Sequence, residues 1–567
     1  MRARAGSVAA QGVLLAAIIG VSMAAMAMEG LSAGLPRLRA AAASTGVAPA
    51  AEPAPWLLEM ERSTPPAPQV REAIQLFRAG RPEQAAALVQ PWLAPGSTAP
   101  REDRAQAALI AGAAAAARGD RDRATALLET ARALHPGSAV VAVQLAAVYV
   151  AAGRPAEARS LLDGVAGKAK VDAPVLAWAG VVYLRAGDPE GAVAVLSRAA
   201  RGSTDPVIWY DLGLAHQQAG DVKAAAAAYE KALALMPSHA PSHNNVGVLA
   251  HATGDLAGAE RHFREACAAD PDTALYRANL ATTLAASGRL EEAARAWEEA
   301  TSGRDVPVEW LVARAWVELH RGHPDAARDA FAGALASRPD DPDALLGLGL
   351  AQIEAGQAEE AAKALGRLAG LQPSNWRVHF VLGTAREAVG DTDGALLAYQ
   401  QAVRLAPAVA EARLALGEAY LRTGRAADAQ QHLQAALAMA GNDARVLYAL
   451  GRAQLDQRQY EAAASSFQRA ASAEGRPERR ARALYGQAVA MESAGRVEEA
   501  IQLLSRATDA DPSWFEAKLR LGELLLMRGE VRRALETLDA AAALRPHDPR
   551  VDRALEQAKL RAAAHGP

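Results

Sequence analysis

One cysteine, Cys267, stands in 567 residues. No intramolecular disulfide can form, and no zinc or haem-attachment site that needs paired thiolates can be built. Phe, Tyr and Trp together make up only 4% of the chain, which with its many alanines suits short packed helices rather than aromatic-rich strands. Neither sign of charge dominates: 61 Lys and Arg stand against 64 Asp and Glu, for a net charge of -3. Nothing there draws in nucleic acid or an anionic membrane over a distance, so nucleic acid is not expected as a partner. Lysine is scarce, with 54 arginines to 7 lysines, which we read as coding bias without mechanistic content. Catalytic signatures are missing too. There is no glycine-rich phosphate loop followed by Lys-Ser or Lys-Thr, no dinucleotide fingerprint after a strand, and no Gly-x-Ser-x-Gly elbow.

The first 30 residues differ from the rest. Arg2 and Arg4 precede an apolar stretch from Val13 to Met28, and Ala25-Met26-Ala27 has the small-x-small form of a signal-peptidase site. Residues 1–30 are therefore expected to be a secretory signal, which would place the mature chain in the cell envelope, in the periplasm. The alternative is an inner-membrane anchor over residues 8–28, interrupted only by Gln11 and just long enough to cross about 30 Å of hydrocarbon. Arg37 and Arg39 beyond it weaken the positive-inside asymmetry, and no cysteine follows for lipid attachment. Membrane contact is expected only through this segment. Residues 31–65 are rich in Ala and Pro and read as a linker.

From Gly80 onward a glycine recurs at Gly119, Gly153, Gly187, Gly220, Gly254, Gly288, Gly322, Gly356, Gly390 and Gly424, then at Gly495 and Gly529. The dominant spacing is 34. Arg458 keeps the count without the glycine, and the deviating spacings are 39, 33 and 37. Five residues after each of these fourteen positions stands an alanine without exception, from Ala85 to Ala534. Four further on comes an apolar residue, usually large, such as Tyr229, Trp297, Tyr399 or Phe467. Seven before the glycine position is always Gly or Ala, as at Gly213 and Gly383. The recurrent glycine suits a left-handed turn that ends one helix. The small residues let two antiparallel helices approach, and the large one fills the space one turn on. Eight prolines (Pro136, Pro237, Pro271, Pro339, Pro373, Pro407, Pro512, Pro546) are placed to stop the second helix.

Trp209, Leu212, Gly213, Gly220, Ala225, Tyr229, Ala232 and Pro237 resemble the tetratricopeptide repeat consensus, and the resemblance extends over residues 66–548. It implies an all-α, right-handed superhelical solenoid of about fourteen helix-turn-helix units, whose first helices line a concave groove. Residues 549–567 read as a capping helix and tail, with Val551, Leu555 and Leu560 on its apolar face. Irregular hairpins are expected in the first unit, where Pro91 and Trp92 interrupt the second helix. They are also expected near Pro307, where Arg314 replaces the family's leucine.

The resemblance further implies that the fifth and ninth positions of each unit face the groove. Here they are Tyr210, Leu214, Asn244, Val248, Trp316, Leu346, Leu350, Phe380, Leu414, Glu418, Tyr448 and Arg452. Such a surface suits an extended or helical segment of another protein. Asn245 and Asn279 match the family's sixth-position asparagine. Fifth positions Tyr210, Asn244 and Ala278 lack the lysine with which some members clamp a chaperone's C-terminal carboxylates, so that partner is not expected. Histidines cluster at His216, His239, His243, His251 and His262. His239 and His243 have metal-ligand spacing, but the register puts His239 at a junction, His243 where the family usually has Trp and His262 on a second helix, so the three should point in different directions, and neither a metal site nor a cofactor is expected. Cys267 is expected to pack rather than react. No segment outside the repeats is large enough for a catalytic domain, so the chain is read as no enzyme. The expectation is an exported scaffold binding proteins or peptide segments in assembly of a cell-envelope complex of pilus, secretion or polysaccharide-export type. The alternative is a carbohydrate- or small-ligand-binding solenoid, or a regulatory subunit of a separate enzyme.

Overall fold

The computed structural model describes residues 67–303 and 305–565. The expected export or anchor segment and most of the linker lie outside them. Among the described residues there are 29 α-helices, one short 3-10 turn and no strand, as an all-α reading requires. The chain divides into two compact units, residues 1–321 and 322–567.

One hairpin of the first unit shows how the sequence makes the motif. Asp205 caps the helix Pro206–Gln218 by accepting from the Val207 N–H at 2.9 Å, and Pro206 occupies the first turn, where no N–H is needed. The helix stops at Gly220, whose φ of 84° lets the Asp221 N–H reach back to the His216 carbonyl at 2.9 Å. Asp221 then caps the second helix, Val222–Leu235, by accepting from Ala224. Met236 and Pro237 follow, and the helix ends two residues before the proline, because the residue ahead of a proline is pushed out of helical geometry.

All fourteen positions of the glycine column take a positive φ, including Arg458 at 61°. A left-handed conformation costs an L-residue about 1 kcal/mol that glycine does not bear. Arg458→Gly is therefore expected to stabilise the second unit by about 1 kcal/mol in urea unfolding. A loss of stability would mean that the arginine side chain contributes more than its backbone costs.

The alanine column is buried throughout: from Ala85 to Ala534 every member is at most 1% exposed. In the second unit Phe467 shows why small residues face it. A Cβ added to Gly451 would lie 2.9 Å from the ring, and one added to Gly486 of the following first helix 2.8 Å from it. The ring is thus clasped between two successive first helices, Ala444–Asp456 and Pro477–Ser493.

The unusual spacings have simple causes. Where the glycine spacing is 37, the first helix Pro477–Ser493 has 17 residues instead of the usual 13, so the insertion is about one further helical turn. The spacing of 33 goes with a shortened second helix, Pro189–Ala199. As expected, the second helix of the first hairpin, Pro82–Val89, gives way at Pro91 to a 3-10 turn over Gln90–Leu93. Arg314, by contrast, breaks nothing. Val308–His320 is an unbroken helix, and Arg314 donates through its Nη1 to the Thr301 hydroxyl at 3.1 Å. The terminal helix Pro549–His565 buries Val551 and Leu555 as a cap would, while Leu560 stays 65% exposed.

Candidate binding face

The positions picked out for the groove fall into three groups. Asn244, Trp316, Leu350, Phe380 and Leu414 are buried. Phe380, for example, sits between Trp376 and Tyr399 at ring separations of 6.4 and 5.9 Å. Tyr210, Leu214, Val248, Leu346, Glu418 and Tyr448 are half-buried, and Arg452 is exposed. The half-buried and exposed groups are the ones a partner can touch.

In the first unit these positions border a polar relay that crosses three successive first helices. Asn279, on Ala274–Ala286, donates to the Asn244 side-chain oxygen at 2.7 Å. Asn244, on Ala240–Ala252, donates to Asn245 at 3.0 Å, and Asn245 donates to the Tyr229 hydroxyl at 3.1 Å. Tyr229 in turn donates to Gln217, on Pro206–Gln218, at 2.8 Å. Asn244 and Asn245 are buried, so their mutual satisfaction is what makes polar side chains tolerable there. Burial raises the Tyr210 and Tyr229 phenols well above their ordinary range, and the nearby Asp211 carboxylate adds to the shift.

Asp211 is the residue that sequence reasoning missed. It occupies the same sixth position as Asn245 and Asn279, so the column itself was the available signal. No hydrogen bond or ion pair from the described residues reaches its carboxylate, and burial, with Asp205 adding repulsion, pushes its pKa up to about 7. The folded chain keeps that proton over a pH range where an unfolded chain with an ordinary aspartate has released it. The carboxylate therefore costs stability increasingly as pH rises from about 4 to about 7. Asp211→Asn is expected to raise stability at pH 8 by roughly 1–2 kcal/mol, part of what the full shift implies because the group is partly solvated. Below pH 4 the gain should vanish. Equal denaturation midpoints for the two chains at pH 8 would contradict this.

The second unit carries a related arrangement around Glu418, on Ala410–Arg422. Burial raises its carboxyl, and Arg422, Arg452 and Arg445 oppose the shift without pairing to it. Arg422 is instead held by Glu387 at 2.6 Å, which also accepts from the Tyr399 hydroxyl at 3.1 Å.

Two of the histidines do not behave as their register suggested. His243 and His262, expected to point apart, meet with their Nδ1 atoms 3.0 Å apart. His243 stands where the repeat usually has a tryptophan packed on the second helix, and His262 is one residue before the large Phe263 of that helix, so the hairpin brings them together. Burial and His243 hold His262 below the ordinary histidine range. His239 caps Ala240–Ala252 through Ser242, and His251 bonds the Thr283 hydroxyl at 3.0 Å. Among the described residues no group of three or more His, Cys, Asp or Glu is placed to hold a metal, and no helix is long and apolar enough to cross a membrane. Cys267 packs beside Ala240, Ala266 and Tyr276, and burial raises its thiol.

Comparison with known proteins agrees with this geometry. Sequence profiles of the tetratricopeptide repeat match residues 66–91, 115–198, 210–379 and 388–558. No curated protein matches the chain in sequence. Among solved structures it is similar to the APC/C hetero-tetramer Cut9–Hcn1, at 15% identity over 83% of this chain and 98% of that one, with a TM-score of 0.37. It is also similar to YrrB (20% identity, 34% and 99% covered, TM-score 0.30). A third is a tetratricopeptide repeat protein from Parabacteroides merdae (17% identity, 44% and 98% covered, TM-score 0.36). Profiles that match well over half of the chain, in register with the buried alanine column and the left-handed turns, show that the chain belongs to the tetratricopeptide repeat family.

Proposed function

We propose that this chain is a non-enzymatic scaffold that binds segments of other proteins along its first helices, and that it does so in the cell envelope. The observation that carries the reading is the row of half-buried or exposed side chains at first-helix positions. In the first unit these are Tyr210, Leu214 and Val248, and in the second Leu346, Glu418, Tyr448 and Arg452. Aromatic and aliphatic surface mixed with charge suits protein recognition, in which a few anchors supply most of the energy. The address rests on the Arg2, Arg4 and Val13–Met28 pattern of the sequence. Assembly of a pilus, secretion or polysaccharide-export complex would use both properties.

Crosslinking in cells followed by identification of the bound molecules tests the scaffold. Specific proteins should be recovered at first-helix positions, and recovery of small ligands alone, or of nothing, would overturn it. Cell fractionation with N-terminal sequencing tests the address. The mature chain should begin beyond residue 27 in the periplasmic fraction, or remain in the membrane if residues 8–28 anchor it. An intact Met1 in the soluble cytoplasm would refute export.

A further inference from the structure

Asp211 has an environment made for a charge that the chain itself does not supply. The Tyr210 and Tyr229 phenols both feel its charge, and the Tyr229 hydroxyl is committed to Gln217 instead. No arginine or lysine of the described residues pairs with it, although other first-helix carboxylates, such as Glu387 and Glu492, each hold an arginine. A carboxylate kept partly out of water without a cation is unstable in the free protein and gains most when one arrives. A turn to either side of it on the same helix, Val207 is exposed and Leu214 half-buried, and half-buried Val248 stands at the position of the next first helix that matches Leu214. These are apolar ledges of the kind along which the stem of a long basic side chain lies while its head reaches a charge.

We infer that Asp211 is the specificity-determining residue of a subsite in the first unit. It receives a lysine or arginine side chain of an extended partner segment, whose stem lies on Val207, Leu214 and Val248. The inference rests on the scaffold reading and names the chemistry of its partner. The charge preference is opposite to that of a surface built to clamp carboxylates, and it follows from aspartate standing where the next two hairpins have Asn245 and Asn279. The phenols beside the carboxylate supply no competing positive charge, so a basic residue is favoured over a neutral donor.

The test is to pan a display library of random peptides on the full-length chain and on Asp211→Asn, and to measure the affinity of the enriched peptides for both. Peptides enriched on the wild type should share a Lys or Arg beside an apolar residue, and should bind Asp211→Asn at least about tenfold more weakly. Asp211→Asn is expected to be at least as stable as the wild type at pH 8, so a loss of binding there does not report unfolding. Peptides that bind both chains equally would overturn the subsite while leaving the scaffold reading intact. Failure to enrich any peptide, together with empty crosslinking in cells, would overturn both. Spermidine that binds as tightly as the enriched peptides would reduce the site to a hole for any cation and overturn its assignment to a protein segment.

Discussion

Replacing Gly383 with leucine is expected to lower the stability of the second unit by more than ~2 kcal/mol. Even a single added Cβ would stand 2.6 and 2.7 Å from carbons of the Tyr399 ring, closer than non-bonded carbons approach. The ring cannot swing aside. It is 3% exposed, its hydroxyl is held by Thr384 at 3.3 Å and Glu387 at 3.1 Å, and the Phe380 ring packs against it at 5.9 Å. Leucine would therefore have to separate the helices Trp376–Val389 and Thr392–Leu405, and interiors packed to crystal density do not yield that space cheaply. Gly370 is the control. It is exposed in the helix Ala358–Leu371, and nothing lies within 4 Å of its Cβ position. Gly370→Ala should leave stability unchanged or raise it by up to about 1 kcal/mol. Unfolding curves that do not separate Gly383→Leu from Gly370→Ala would refute the register on which the hairpins are drawn.

Trp297→Ala is expected to cost the first unit about 3–5 kcal/mol. The indole is fully buried in the helix Leu290–Ala300, against Ala281 of the paired helix and the Trp310 ring at 6.4 Å. One of these contacts is a small residue of the paired helix and the other an aromatic ring, so the cavity has little freedom to collapse. Trp297→Phe should cost far less than alanine does. The indole Nε1 has no acceptor among the described residues, and removing it takes away an unsatisfied donor along with some packing. A phenylalanine variant as unstable as the alanine one would show that the indole shape itself is indispensable.

Much of the fold was legible because it depends on residues that recur. Glycine followed by a capping aspartate, as at Gly220 and Asp221, states where one helix ends and the next begins. An alanine five residues later states which face is closest to the partner helix. What the columns could not give was the meeting of side chains from different units. The relay from Asn279 to Asn244 spans 35 residues and exists only because two first helices lie side by side. His243 and His262 were misjudged for the same reason: helical register gives the direction of each alone and says nothing of how far two side chains reach toward one another. The candidate site was half visible. Position number identified Tyr210, Leu214 and Val248, but it also gathered Phe380 and Leu414, which large neighbours bury. Asp211 escaped notice because an aspartate in a polar column looks unremarkable until its lack of a partner is seen.

The clasping of Phe467 by both Gly451 and Gly486 has a consequence for what a shortened chain would do. A product ending near Ala473 would keep the ring but lose Gly486, the surface that covers its second side. An aromatic side chain set in a flat ledge of small residues would then face water, next to further apolar positions of the same hairpin. Such a fragment should self-associate, because the nearest complement to the bared ledge is the first helix of another copy. Proteolytic trimming from the C-terminus is therefore expected to give a self-associating product once it has removed the helix Pro477–Ser493.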